Sequence, residues 1–142
     1  MKKLIGLIFV FCLLFPFVSN SQMEIQQPAM TTQVLGNWTN PLTGTQTLTA
    51  TQAMNMIVFY GATGTINLPK ALTGMNILIY NTGAFTITVD PNGTDKITID
   101  GTENAAGEYV QIPSGAGNFV TLLADSVGHW VTLGAKGTLV AE

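Results

Sequence analysis

From Thr45 to the end of the chain, apolar and polar residues alternate with a period of two, the pattern of half-buried strands. Thr45, Thr47 and Thr49 interleave with Gln46 and Leu48, and β-branched threonine favours a pleated surface. Met56 to Tyr60 (MIVFY) is a continuous apolar run bounded by Gly61 and Gly64. It is too short for a helix and predicts a strand covered on both faces. Thr65 to Leu68 predicts another, ended by Pro69, which has no N–H to give to a ladder. Ile77 and Ile79 fall on one face of a strand over 75–80, and Phe85, Ile87 and Val89 on one face of the next. Asn81, Thr82 and Gly83 lie between them as a tight connection.

The pattern continues with Ile97 and Ile99 after the turn DPNGTD, and with Val110 and Ile112 after a Gly/Ala-rich loop. Phe119–Leu123 and Trp130–Leu133 predict a hairpin turning over Asp125–His129, with Gly128 free to take a positive φ. About nine short strands result, spaced as in sandwiches and barrels. Only ATQAM, Ala50 to Met54, predicts a helical turn, and no more than one. The expected fold is all-β: a single antiparallel β-sandwich over 44–142, jelly-roll-like or closed into a short barrel.

Two segments precede it. Lys2 and Lys3, an apolar run from Leu4 to Val18 and the small polar stretch Ser19, Asn20, Ser21 form the three-part plan of a secretory signal peptide over 1–21. The run is shorter than the roughly 20 residues a membrane helix needs and contains Pro16, so no stable span is expected after cleavage. A retained membrane anchor is the alternative. Cys12 lies inside the run behind Phe11, where a lipidated cysteine would require a small neighbour. Residues 22–43 are rich in Gln, Thr, Asn, Met and Pro and predict an N-terminal arm or linker, in which Val34, Leu35 and Trp38 could dock on the domain or on a neighbour.

Composition narrows the chemistry. Cleavage after Ser21 leaves Lys70, Lys96 and Lys136 against all eight acids, a net charge of −5, and the chain has no arginine. Phosphate backbones are gripped by clustered lysine and arginine, so no nucleic-acid partner is expected. Without a cysteine beyond residue 21, a disulfide framework, a thiolate nucleophile and a cysteine-rich zinc site are excluded from the exported chain.

Several clusters admit a functional and a structural reading. Asp90, Asn92, Asp95, Asp100, Glu103 and Asn104 bring calcium-type oxygens close in sequence, with Asp90, Asn92 and Asp95 as the calcium candidates. Their order lacks the spacing of a helix-flanked calcium loop, and turns select the same residues. Asp100, Glu103 and Glu108 are the only clustered carboxylates that could form a glycosidase-type pair, and a solvated acidic loop is the simpler reading. His129 has no serine or cysteine motif beside it and reads as a turn histidine. No enzyme, and no cofactor other than calcium, is expected. The aromatics Trp38, Tyr60, Tyr80, Tyr109 and Trp130 join an apolar body to a polar tip and are the interface or ligand candidates. For Trp130, core packing is favoured because Val131 and Leu133 continue its strand. Asn37 (NWT) and Asn92 (NGT) match the glycosylation acceptor pattern.

Five segments, LTATQ at Leu48–Gln52, GATGTINLP at Gly61–Pro69, MNILIYNTG at Met75–Gly83, DPNGTDKITIDG at Asp90–Gly101 and VTLLADSVGHW at Val120–Trp130, carry a family resemblance. From about Leu48 to Gly137 the chain resembles the β-rich domains recurrent in tailed-phage and prophage fibre or appendage proteins. The resemblance implies an antiparallel module, commonly a homotrimer, that builds or tips an appendage. The expected role is a non-enzymatic structural or adhesive module, secreted or at a virion surface. The alternatives are a secreted carbohydrate-binding domain contacting cell-surface glycans, and a self-polymerising filament subunit whose arm donates a strand to its neighbour.

Overall fold

A computed structural model describes residues 32–142. Residues 1–21, expected to be a signal peptide, and the first part of the expected arm, 22–31, lie outside the described residues. Twelve strands are present: β1 Gln33–Leu35, β2 Gln46–Thr47, β3 Met56–Tyr60, β4 Gly64–Asn67, β5 Asn76–Asn81, β6 Ile87–Asp90, β7 Lys96–Ile99, β8 Thr102–Glu103, β9 Val110–Ile112, β10 Phe119–Ser126, β11 His129–Lys136 and β12 Val140–Ala141. They form a seven-stranded sheet, ordered β1-β3-β5-β10-β11-β7-β8, and a five-stranded sheet, ordered β12-β9-β6-β4-β2. The protein is all-β with two sheets, as the alternation predicts.

Alternating residues make the core. In the larger sheet Leu35, Val58, Ile79 and Val120 lie side by side across β1, β3, β5 and β10, with Met56, Ile77 and Leu122 in the adjacent row. The smaller sheet supplies Ile66, Ile87, Val89, Val110 and Ile112 to the same cluster, and Trp130 is fully buried among them. Burying side chains of this size contributes about 1.5–3 kcal/mol each, which is how a chain with no described cysteine holds together.

The expectation of hairpins pairing antiparallel throughout is corrected by the connectivity of the first half. From β1 to β6 successive strands alternate between sheets, and the partners within each sheet are parallel: β1 with β3, β3 with β5, β2 with β4 and β4 with β6. Gln33 faces Met56, Met56 faces Ile77, Gln46 faces Ile66 and Gly64 faces Ile87, so one circuit of both sheets takes 20–23 residues. Period-two alternation is identical in parallel and antiparallel strands, so it carries no direction. Loop length is equally silent: the three residues 61–63 can turn back to a neighbour about 4.8 Å away or cross the ~10 Å between sheets.

Local chemistry selects the crossing. A Cβ on Gly61 would meet Pro41 and Thr82, and one on Gly64 would meet the Tyr60 hydroxyl, which donates to the Gly44 carbonyl. At the next crossing the buried Asn81 amide donates to Phe85 O (2.5 Å), while its oxygen accepts from Gly83 N (3.1 Å). The tight connection at 81–83 is therefore an arch between sheets. Phe85 lies outside β6 and is exposed rather than aligned with Ile87 and Val89, because pairing with β4 begins only at Ile87.

After β6 most neighbours are antiparallel. β9 pairs with β6, β10 with β5, and β10 with β11 in the expected hairpin, where Gly128 has φ +79°. Asp100 (φ +48°) and Gly101 (φ +80°) form the two-residue turn that joins β7 to β8, in keeping with the Asp-Gly preference of turns needing two positive φ angles. Thr49 and Gln52 bond reciprocally around the single turn at 49–53, a capping box with only one turn to cap.

Candidate functional site

The outer face of the seven-stranded sheet presents three rows. Phe59, Tyr80, Phe119 and Lys136 are directly opposed across β3, β5, β10 and β11. Beside them run Val34, Ile57, Leu78, Thr121 and Gly134. The third row is Asn76, Leu123, Val131, Thr98 and Glu103. These positions alternate with the buried ones, so their side chains point away from the core.

Aromatic contacts concentrate at one end. The Trp38 ring lies 5.6 Å from that of Tyr80, tilted 58°, and Phe59 lies 5.7 Å from Tyr80, tilted 51°. Such tilted pairs are favourable because ring edges meet ring faces. Trp38 remains 55% exposed, Val34 53% and Leu133 62%. Leu133 projects where the β10–β11 register shifts between Thr121 and Leu122, since a bulge leaves one residue without a cross-strand partner.

The polar end of the face is built around His129. Its Nδ1 lies 2.7 Å from Asp125 Oδ1 and its Nε2 2.8 Å from Thr98 Oγ1, with Glu103 Oε2 3.6 Å from Nε2. Lys96 Nζ donates to Glu103 Oε1 at 2.5 Å. The Lys96 ammonium holds the Glu103 carboxyl below its ordinary range, and the bond to His129 does the same for Asp125. Sequence reasoning missed this cluster because Thr98 and His129 are 31 positions apart. It has the hydroxyl–imidazole–carboxylate order of a nucleophilic triad. Thr98 sits in the ladder between Val131 and Glu103. The cluster ties β7, β8, β10 and β11 together.

The other expected residues disperse. Tyr60 and Trp130 are buried, so neither faces a ligand. Burial raises the Tyr60 hydroxyl pKa, and the Trp130 Nε1 has no hydrogen-bond partner. Tyr109 donates to Glu142 Oε2 (2.8 Å), which pushes its pKa up. Of the five aromatics, Trp38 and Tyr80 come together on the outer face. Among the calcium candidates, Asp95 is buried and its Oδ2 accepts the Ala71 N–H at 2.7 Å. Among the described residues no three His, Cys, Asp or Glu side chains are grouped to hold a metal ion. Asp100 and Glu103 sit on the β7–β8 hairpin, and Glu108 accepts the Ala105 N–H (2.8 Å) in the following loop. Asn37 Oδ1 accepts from Thr39 N (3.0 Å), Thr39 Oγ1 (2.8 Å) and Asn40 N (2.8 Å).

The five-stranded sheet turns a different surface outward. Thr47, Asn67 and Asp90 form one row, and Thr65, Thr88, Gln111 and Val140 the other. Asn67 Nδ2 donates to Thr47 Oγ1 at 3.1 Å. The two sheets define an all-β sandwich in which one outer face is polar and the other is largely apolar over β1, β3, β5 and β10 and charged over β7, β8 and β11. Compared with known proteins, the chain matches no family model, no curated protein and no solved structure.

Proposed function

We infer that the protein is a non-enzymatic structural and adhesive module of a virion or cell-surface appendage, exported or displayed outside the cell and assembled from copies of itself as a homotrimer. The observation that carries this reading is the opposition of the two outer faces. An apolar sheet face left in water is unfavourable, and patches of this kind mark contact surfaces. The threonine-, asparagine- and glutamine-bearing face needs no cover and is free to face solvent or a receptor. A rigid sandwich with one face to bury and one to display has the form of a building block. The likeness to phage fibre domains at Asp90–Gly101 and Val120–Trp130 points the same way.

The test is where the protein goes. Immunogold labelling and fractionation of the producing cells should place it in a particulate appendage or virion fraction that adsorbs to cells. Recovery only as freely soluble protein that adsorbs to no cell surface would defeat the reading.

One observation favours a second reading, a secreted glycan-binding domain: the half-exposed Trp38 packed beside Tyr80. A Trp38→Ala variant should then lose binding in a glycan screen at least about tenfold, the effect of removing one stacking ring of about 1.4 kcal/mol. For the strand-donation alternative, Gln33–Leu35 of the arm pair with Met56–Val58 of the same chain. Donation to a neighbour requires that pairing to open.

A further inference from the structure

We propose that the Asn92–Gly93 turn is a self-modifying site, at which the Gly93 backbone nitrogen attacks the Asn92 side-chain amide and converts Asn92 into isoaspartate and aspartate. Sequence neighbours single it out. Of the ten asparagines in the chain, only Asn92 is followed by glycine. A side chain on the following residue crowds the approach to the asparagine Cγ, and glycine brings none. The other nine are followed by serine, tryptophan, proline, methionine, leucine, isoleucine, threonine, alanine or phenylalanine.

The turn leaves both reacting groups open. Asn92, Gly93 and Thr94 are exposed between β6 and β7. Asp95 N–H closes the turn by donating to Asn92 O at 2.9 Å. That bond uses neither the Asn92 side chain nor the Gly93 N–H, and among the described residues neither has a hydrogen-bond partner. Gly93 stands at φ +59°, with open space where a Cβ would lie. Asn37, Asn81 and Asn118, by contrast, have their side-chain amides held by nearby backbone groups.

The Gly93 nitrogen gives its proton to solvent and bonds to Asn92 Cγ. The Cγ–Nδ2 bond breaks, ammonia leaves with a proton from solvent, and a five-membered succinimide closes. Water, the only co-reactant, then opens the ring. Addition at the side-chain carbonyl restores the main chain and leaves aspartate. Addition at the main-chain carbonyl gives isoaspartate, in which the chain runs through Cβ and Cγ and the former main-chain carbonyl becomes a pendant carboxylate. Either product adds a negative charge, and isoaspartate also removes from the main chain the acceptor that closes the turn. Asp95 passes the change on. It is buried, its Oδ2 accepts the Ala71 N–H at 2.7 Å, and its backbone oxygen accepts the Gly107 N–H at 3.0 Å. Gly93 O also lies so close to Gly107 that a Cβ there would clash with it. A longer main chain at 92 therefore loosens the tie between this turn and the β4–β5 connection that carries Ala71. The chemistry needs no partner and proceeds whether or not the chain builds an appendage.

The test is peptide mapping by mass spectrometry, before and after incubation in mildly alkaline buffer. The protein is purified from cells that express the full 142-residue chain and do not glycosylate asparagine, so the Asn92 amide starts free. The expected result is a gain of about one mass unit, amide to acid, confined to the peptide holding Asn92. That peptide should separate into two forms, one of them a substrate for an isoaspartate-specific methyltransferase. Asn92→Gln, at an exposed position, should lose the conversion, and Gly93→Ala should slow it at least about tenfold, about 1.4 kcal/mol of barrier. Thermal melts confirm that each variant is folded. An unchanged Asn92 peptide, or conversion of other asparagines at the same rate, overturns the proposal. The isoaspartate form should also melt below the Asn92→Asp variant, which carries the same charge on an ordinary main chain. Equal melting of the two would overturn the tie through Asp95.

Discussion

The outer face of the five-stranded sheet and that of the seven-stranded sheet come from strands with the same alternation, yet one carries Thr65, Asn67, Thr88, Asp90 and Gln111 and the other, over β3, β5 and β10, Ile57, Phe59, Leu78, Tyr80, Phe119 and Leu123. Both sheets send equally apolar residues inward, so the core demands nothing of this difference. The outward positions of the smaller sheet follow the usual rule for a solvated sheet. Those of the larger sheet depart from it, and a departure that folding does not require points to a contact made outside the chain.

The comparison breaks most completely if the shared core is removed. Trp130→Ala should cost about 3–5 kcal/mol, the usual range for emptying a buried aromatic site, and abolish both faces in one cooperative transition, as urea denaturation would show. Two separate transitions would mean that the sheets are independently stable. Next in size is the arch between them. Asn81→Ala leaves Gly83 N and Phe85 O without their partner, and should cost about 1–3 kcal/mol in the same measurement.

Exchanging outer-face chemistry sharpens the comparison. Leu78→Thr, on the apolar face, should change unfolding free energy by about 1 kcal/mol and weaken assembly. Thr88→Leu, on the polar face, should change stability by no more than about 0.5 kcal/mol while promoting association through a second apolar patch. Equal effects of the two substitutions on assembly would remove the distinction between the faces.

The smallest effect belongs to the charged end of the larger sheet. Glu103, held by Lys96, and Asp125, held by His129, both titrate below the ordinary carboxylate range in the folded protein. Their contribution is therefore whole above the unfolded carboxylate pKa and is lost as pH falls through the lowered folded values. A plot of melting temperature against pH should decline on that acid side, and Asp125→Asn should make the decline shallower. An unchanged slope would mean that these solvent-exposed contacts add nothing.

Much of the fold is legible in the residues. Ile77 and Ile79, Ile87 and Val89, and Val110 and Ile112 are buried where the alternation places them, and the β10–β11 hairpin turns at Gly128 as expected. The candidate site was legible only in part. Trp38 and Tyr80 were visible as aromatics, but so were Tyr60 and Trp130, which the core takes. Core packing was the favoured reading of Trp130 and holds, whereas in the continuous apolar run Met56–Tyr60 no alternation separates an aromatic facing in from one facing out. The Thr98–His129–Asp125 cluster was invisible because it depends on β7 lying beside β11 in parallel.

By itself the sequence determined where nine of the twelve strands lie, though not β1, β8, β12 or the far ends of β10 and β11, because pleating, β-branching and turn chemistry act over a few neighbouring residues. Tertiary structure alone decided that β1 to β6 alternate between two sheets in parallel, that Tyr60 of the apolar run turns inward, and that one sheet leaves an apolar area over β1, β3, β5 and β10 in view. These depend on which distant strands meet, and a period of two is the same whichever neighbour a strand finds.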